Sequence, residues 1–487
     1  MLRKIRTILA AVVFVLITLL FLDFTWTLHH WLSWLAKIQF LPAVMALNVV
    51  VVVALLVLTL VFGRIYCSII CPLGVFQDIL ARFHRKKNKY SYSKEVKWLR
   101  YPVLMVFIIA AVAGIGSLFQ LLAPYSAYGR IATMIFQPIW KFGNNILAEI
   151  AARADSYAFY SVDTWMRSMP VLIIAAVTLV VLFVLAWRGG RTYCNTICPV
   201  GTILSFFARF SWLKIHFDED KCKNCSMCSK NCKAACIDYK NHTVDYSRCV
   251  VCGNCIDSCK FNALKYRSKR SEVRGESEGT SRRSFLLASA MVAGAAMAQK
   301  KEKLMDGGLA ELEDKVAPAR QTPLTPPGSL SFQHFAQHCT GCQLCVSECP
   351  NEVLRPSSDL MHLMLPVMSY EHGHCRPECT RCSEACPAGA IFKVDKDEKS
   401  SIQIGHAVWI KKNCVPITDE VECGNCARHC PTGAIEMVPL DENDEESPMI
   451  PAINEAACIG CGACEYVCPS RPFSAIYVEG HEVHKKI

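Results

Sequence analysis

Residues 221–260 read KCKNCSMCSKNCKAACIDYKNHTVDYSRCVVCGNCIDSCK. Two groups of four cysteines stand out: Cys222, Cys225, Cys228 and Cys232, then Cys249, Cys252, Cys255 and Cys259. Both follow a C-x2-C-x2-C-x3-C spacing, the run that holds [4Fe–4S] cubanes, because soft thiolates suit iron. Zinc sites pair two C-x2-C knuckles and not triplets, so zinc accounts poorly for these residues. In two-cluster units of this kind the fourth cysteine of each group serves the other cluster. Cys222, Cys225, Cys228 and Cys259 are therefore assigned to one cubane, and Cys249, Cys252, Cys255 and Cys232 to the other. Lys233 and Lys260 stand where proline usually follows the fourth cysteine, and Cys236 is left over as a spare thiol or a substitute for Cys232.

Toward the C-terminus the signature recurs four times. The groups are Cys339, Cys342, Cys345, Cys349; Cys375, Cys379, Cys382, Cys386; Cys414, Cys423, Cys426, Cys430; and Cys458, Cys461, Cys464, Cys468. A proline follows each closing cysteine and turns the chain away from the cluster. Two groups widen only before their second cysteine, where a loop can lengthen without disturbing the tight remainder. Residues 331–487 are expected to form a domain with four cubanes, able to manage on a small apolar core because clusters crosslink it. With residues 213–267 holding two more, the chain is expected to carry six [4Fe–4S] clusters.

Toward the N-terminus the composition changes. Hydrophobic residues make up 52% of the 487 residues, concentrated in four runs: Ile5–Leu22, about Leu41–Phe62, Pro102–Leu122 and Pro170–Trp187. Each is long enough to span a ~30 Å hydrocarbon core. The net charge of +10 is best read by position, since basic residues near span ends set orientation. HRKKNK at 84–89 and Lys94, Lys97 and Arg100 follow the second run, and the segment after the fourth is also basic. The N-terminus, residues 63–101 and the two-cluster domain are thus expected inside, with residues 123–169 as an outer loop. The fold class is multidomain: a four-helix membrane domain (1–212), then α+β cluster domains of the bacterial ferredoxin type.

An internal repeat marks the membrane half. GRIYCSIICPLGVFQDILARF begins at Gly63 and GRTYCNTICPVGTILSFFARF at Gly190, identical at 11 of 21 positions. Each copy follows an apolar run entering the same side, which suggests halves related by an axis along the membrane normal. Such symmetry would gather Cys67, Cys71, Cys194 and Cys198 into a possible further metal centre, an iron–sulfur cluster or a structural zinc. The alternative is a helix-ending turn carrying reduced, buried thiols.

Residues 268–330 form a charged, then proline-rich linker. Within it lies Ser281–Ala298, SRRSFLLASAMVAGAAMA. Its paired Arg282 and Arg283, short apolar run and closing Ala296-Met297-Ala298 fit an internal twin-arginine export signal or anchor. An alanine-rich helix after a basic linker is the plainer alternative. Export would put the four-cluster domain on the periplasmic side of a bacterial inner membrane that the chain crosses several times.

With these motifs in place, the membrane half and two-cluster unit resemble the NapH family and the C-terminal half of NosR. The part from Ser281 onward resembles NapG and the related MauM ferredoxins. The resemblance implies a quinol-oxidising relay feeding a periplasmic reductase or its carrier subunit in anaerobic respiration. It also implies a pairing in the last domain: Cys468 with Cys339, Cys342 and Cys345; Cys349 with Cys458, Cys461 and Cys464; Cys430 with Cys375, Cys379 and Cys382; Cys386 with Cys414, Cys423 and Cys426.

Absences point the same way. There is no C-x-x-C-H for covalent haem, no histidine inside an apolar run and no G-x-G-x-x-G. A lipid-borne quinol is then the expected redox partner and substrate, the protein itself serving as an electron-transfer subunit of a quinol dehydrogenase. No nucleic-acid partner is expected. Asp23, His29 and His30 are candidate proton acceptors beyond the first run. Two other functions fit the same residues: an assembly or redox-sensing factor of a respiratory complex, and electron flow in reverse into the quinone pool.

Overall fold

The computed structural model describes residues 2–84, 90–156, 158–268, 315–441 and 447–487. The Ser281–Ala298 motif lies outside them. The helix Leu2–Leu22 forms from an uninterrupted apolar run and is about 31 Å long at 1.5 Å per residue. It links the two cysteine-rich units. At its start Arg3 meets Asp257 of the two-cluster unit at 3.6 Å, and at its end it packs on Leu344–Glu348 of the C-terminal domain.

Among the described residues, two helices are long and apolar enough to cross a membrane, Leu2–Leu22 and Met169–Gly189. The other two expected spans are broken. The run at 41–62 divides into Phe40–Met45 and Val49–Phe62, with Leu47 in the left-handed region and the Asn48 side chain capping the second helix at the Val51 N–H (3.3 Å). Fourteen residues give only about 21 Å of helix. The run at 102–122 divides at Gly114, φ +72°, into Lys97–Val112 and Gly116–Leu122.

The expected outer loop is largely helical. Pro124–Ile131, a π-helical turn Ala132–Phe136 and Gln137–Arg153 follow one another without a break. Pro124 starts the helix where a missing N–H costs nothing. Every residue from Pro124 to Ile131 is buried, because this segment lies between the membrane-type helices and the C-terminal domain. Gly129 shows how close that contact is: a Cβ there would stand 2.1 Å from the Cys342 carbonyl oxygen.

The two repeats have the same local structure. Each begins at a positive-φ glycine (Gly63, +76°; Gly190, +65°) and makes a short helix, Tyr66–Ile69 or Thr192–Thr196. Each then opens a second helix at the Cys-Pro step, Pro72–Leu80 or Pro199–Ala208. In the two-cluster unit Leu213–Phe217 pairs antiparallel with Leu264–Ser268, so Ile215 faces Tyr266. It is fastened to the end of Val49–Phe62 by the Trp212 N–H to the Leu60 carbonyl (2.7 Å) and the Tyr266 hydroxyl to that of Phe62 (2.9 Å). In the C-terminal domain the strands Ile402–Trp409 and Ile476–Lys486 pair antiparallel, and two shorter antiparallel pairs form separately, Leu354–Pro356 with Pro366–Met368 and Ile435–Pro439 with Met449–Ile453.

Candidate electron-transfer centres

Four of the six ligand loops share one local design. A residue in the left-handed conformation (Ser226, Gly253, Gln343 or Gly462) precedes a one-turn helix that carries the third cysteine. Cys259, Cys349 and Cys468 end their turns in extended backbone, and three fourth-cysteine sulfurs accept a main-chain N–H: Ala263 to Cys259 (3.3 Å), Ala434 to Cys430 (3.3 Å), Ala475 to Cys468 (3.2 Å). Such N–H groups stabilise charge on sulfur.

Burial pushes the thiols of Cys228, Cys252 and Cys426 up to about 11. A buried thiolate needs a nearby cation, which bound iron supplies. All donors here are thiols, and Cys349, Cys375, Cys379 and Cys382 line one small cavity. These residues fit a cubane.

In the two-cluster unit Cys232 lies near Cys252 and Cys255. Cys236 Sγ sits 3.5 Å from Cys232 Sγ and next to Cys249. In the C-terminal domain the implied pairing of first group with last is overturned. Cys386 lies near Cys339, Cys342 and Cys345, while Cys349 lies near Cys375 and Cys382. Likewise Cys468 lies near Cys414, and Cys430 near Cys458 and Cys461. Consecutive groups pair because their helices pack directly together, Leu344–Glu348 on Arg381–Ala385 and Asn425–Arg428 on Ala463–Val467. The two pairs occupy separate cores.

The repeat does bring Cys67, Cys71, Cys194 and Cys198 together, all buried. Arginines cross between the copies. Arg64 Nη2 donates to the Cys194 carbonyl (3.1 Å), and Arg191 Nη1 donates to that of Cys67. Gln77 Nε2 lies 3.3 Å from Cys194 Sγ, and the Gly201 N–H 3.3 Å from Cys198 Sγ. Gly74 and Gly201 are required here, since a Cβ would fall 2.2 Å and 2.3 Å from the carbonyl oxygens of Cys67 and Cys194. Asp78 balances the charge against Arg191 (2.9 Å), Arg6 (3.2 Å) and Lys233 (3.2 Å). Burial alone would raise its carboxyl, but Arg191, then Lys233 and Arg6, hold it well below the usual carboxylate range. Sequence reading missed this ion cluster, although Asp78 and Arg191 lie inside the quoted repeats.

The quartet also lies between the two cysteine-rich units. Arg64 Nη1 donates to the carbonyl of Ser247, two residues before Cys249 (3.0 Å). On the opposite side the Tyr193 hydroxyl donates to the Leu122 carbonyl (3.4 Å), and nearby Gln120 Nε2 donates to that of Cys339 (3.2 Å).

Asp23 does not present a free base. Its carboxylate accepts the N–H groups of Thr25 (2.9 Å), Trp26 (3.1 Å) and Leu28 (2.7 Å), fixing the turn. His30 is exposed, whereas His29 is buried, stacked on Trp26 with ring centroids 4.0 Å apart. His29 Nδ1 stands 3.5 Å from the Glu348 carboxylate, which burial raises to about 7 against the effect of His29.

Comparison with known proteins supports the binding of 4Fe–4S clusters by this chain. A 4Fe-4S binding domain model matches residues 44–90 and 168–218, the two repeats. 4Fe-4S dicluster models match residues 245–353 and 421–471. The methylamine utilization ferredoxin-type protein MauM of Paracoccus denitrificans is 34% identical over 168 residues, 33% of this chain and 73% of that protein. MauM of Methylobacillus flagellatus is 32% identical, covering 33% of this chain and 70% of its own length. The ferredoxin-type protein NapF of Escherichia coli is 29% identical, over 32% of this chain and 87% of NapF. Through this matched third, the chain belongs to the ferredoxin-type 4Fe–4S proteins related to MauM, NapF and NapG, iron–sulfur proteins of electron transfer.

Proposed function

We propose that this protein is a membrane-embedded relay that takes electrons from quinol and delivers them to a periplasmic reductase. The observation that carries the proposal is the separation of its two cysteine-rich units to opposite ends of Leu2–Leu22, with the thiol quartet between them. Six [4Fe–4S] clusters fill the six ligand sets, four of them in the C-terminal domain with consecutive groups paired. Each supplies one-electron chemistry when bound. The chain's own residues set spacing, exclude water and donate N–H groups to sulfur.

The quartet Cys67, Cys71, Cys194 and Cys198 holds a seventh centre that shortens the gap between the units. An iron–sulfur cluster suits it better than one zinc ion. Among the described residues no three metal-binding side chains converge closely enough for a single ion, and an anionic cluster matches the buried Arg64 and Arg191. In this reading the chain crosses the membrane four times, the broken helices spanning together with their continuations, and Ser281–Ala298 directs the C-terminal domain outward.

Spheroplasts supplied with a quinol analogue and impermeant ferricyanide test this function. Quinol-dependent ferricyanide reduction is expected, and C345S should abolish it. Reduction at the wild-type rate in that variant contradicts the relay.

A further inference from the structure

A cavity of about 240 Å³ lies where the π-helical turn Ala132–Phe136, the segment 164–167 and the first turn of Met169–Gly189 meet the C-terminal domain. Its walls divide by chemistry. Met134, Pro138, Met166 and Leu172 form an apolar side, and Met166 and Met169 are exposed beside it at the start of the 21-residue apolar helix. Gln137, Lys141, Arg167 and Glu352 form a polar side. Two donors at the cavity have no partner: the hydroxyl of Thr133, which is 2% exposed, and the buried indole N–H of Trp165.

An unpartnered buried hydroxyl or N–H costs about 1–3 kcal/mol, so natural proteins seldom leave two at one cavity without a ligand or water to meet them. The π-helical turn is a second sign. It widens the helix at Thr133 and Met134, and such insertions concentrate at functional sites. The polar wall also leads to an electron-transfer motif. Gln137 Nε2 donates to the Ser347 carbonyl (3.2 Å), between Cys345 and Cys349, and Gln137 Oε1 accepts from Arg167 Nη1 (3.2 Å). Arg167 itself lies near Cys345 and Cys349. Lys141 and Glu352, paired at 2.6 Å, are shared with a polar cleft of about 490 Å³ on the far side.

We infer that this cavity binds the ring of a lipid-borne quinol or quinone, with Thr133 and Trp165 donating to its oxygens and the tail leaving past Met166 and Met169. The inference rests on the relay reading above and assigns its lipid-side site. A ring bearing oxygens and an apolar tail matches such a cavity: mostly apolar contact with a few placed donors. Trp165 is held for the task by stacking on His372, ring centroids 3.9 Å apart.

The test uses the full chain in detergent and the fluorescent quinol analogue 2-heptyl-4-hydroxyquinoline N-oxide. Binding is read by its quenching, alongside iron content and the EPR spectrum after dithionite. T133V and W165F should each weaken binding about tenfold or more, with iron content and spectrum unchanged. Wild-type affinity in both variants overturns the cavity assignment, whether or not quinol reduces the protein. A wild-type protein whose clusters quinol cannot reduce overturns the relay reading instead, and the same binding titration then reports whether the cavity holds the ring. If T133V loses iron, T133S, which keeps the hydroxyl, must restore both iron and binding; restored iron without binding also overturns the assignment.

Discussion

Arg64 of the first repeat donates to the carbonyl of Cys194 in the second, at 3.1 Å, and Arg191 of the second donates to the carbonyl of Cys67 in the first. Each cysteine loop is thus held by the other repeat's arginine. Both arginines are fully buried; Asp78 answers the charge of Arg191 at 2.9 Å, while Arg64 donates to oxygens of Asn195, Ser247 and Cys194.

Removing that answer should be costly. D78N leaves Arg191, Arg6 and Lys233 buried around a neutral amide, and breaking a buried ion pair from one side costs about 3–5 kcal/mol. Chemical denaturation of the full chain should show a loss of that order. A change below about 1 kcal/mol would mean that the cations find water or another partner.

The quartet's glycines admit no side chain. G74A and G201A each drive a Cβ to within 2.2 Å and 2.3 Å of a cysteine carbonyl, so the loop must move. Each variant should lose about four iron atoms per chain, one cubane's content, and keep the EPR signals of the ferredoxin-type units. Unchanged iron content would remove the case for a centre at these thiols.

The C-terminal domain should weaken in mild acid. Burial, helped by neighbouring His481, lowers His484 to about 4 from an ordinary value of 6.5. The unfolded chain therefore takes up a proton that the folded chain refuses, and stability falls as pH drops from 6.5 toward 4. Allowing for the partial exposure of the ring, the change is about 2 kcal/mol. H484Q should lose less stability than the wild type between pH 7 and pH 5 in thermal unfolding. Parallel pH profiles would sink this assignment.

Cluster pairing in the last domain gives a separate check. C386S should perturb the same EPR signal as C339S, and C468S the same signal as C414S, because these cysteines are neighbours. Grouping of C468S with C339S would restore the first-with-last arrangement.

The 4Fe–4S character was legible because cubane ligation is a local matter of spacing, and Cys222 to Cys259 hold two such groups within forty residues. The quartet was legible because a repeated sequence implies repeated geometry. What escaped depended on contacts between distant segments. Pro124–Arg153 mixes aromatic, polar and charged residues without a clean period, and the first eight are buried because the apolar helices and the C-terminal domain cover them from both sides. The pairing of Cys349 with the second group was hidden for the same reason: packing between helices decides it, and both arrangements satisfy the spacing. The breaks at Leu47 and Gly114 had local signals, an Asn48 cap and a glycine, that hydropathy averaging blurs.

The central claim is that electrons enter from quinol. Membranes holding the full chain should be mixed anaerobically with a menaquinol analogue, frozen within a turnover time and examined by EPR. The relay predicts reduced-cluster signals that a quinol-site inhibitor abolishes. Clusters that remain oxidised with quinol, yet reduce with dithionite, would contradict it.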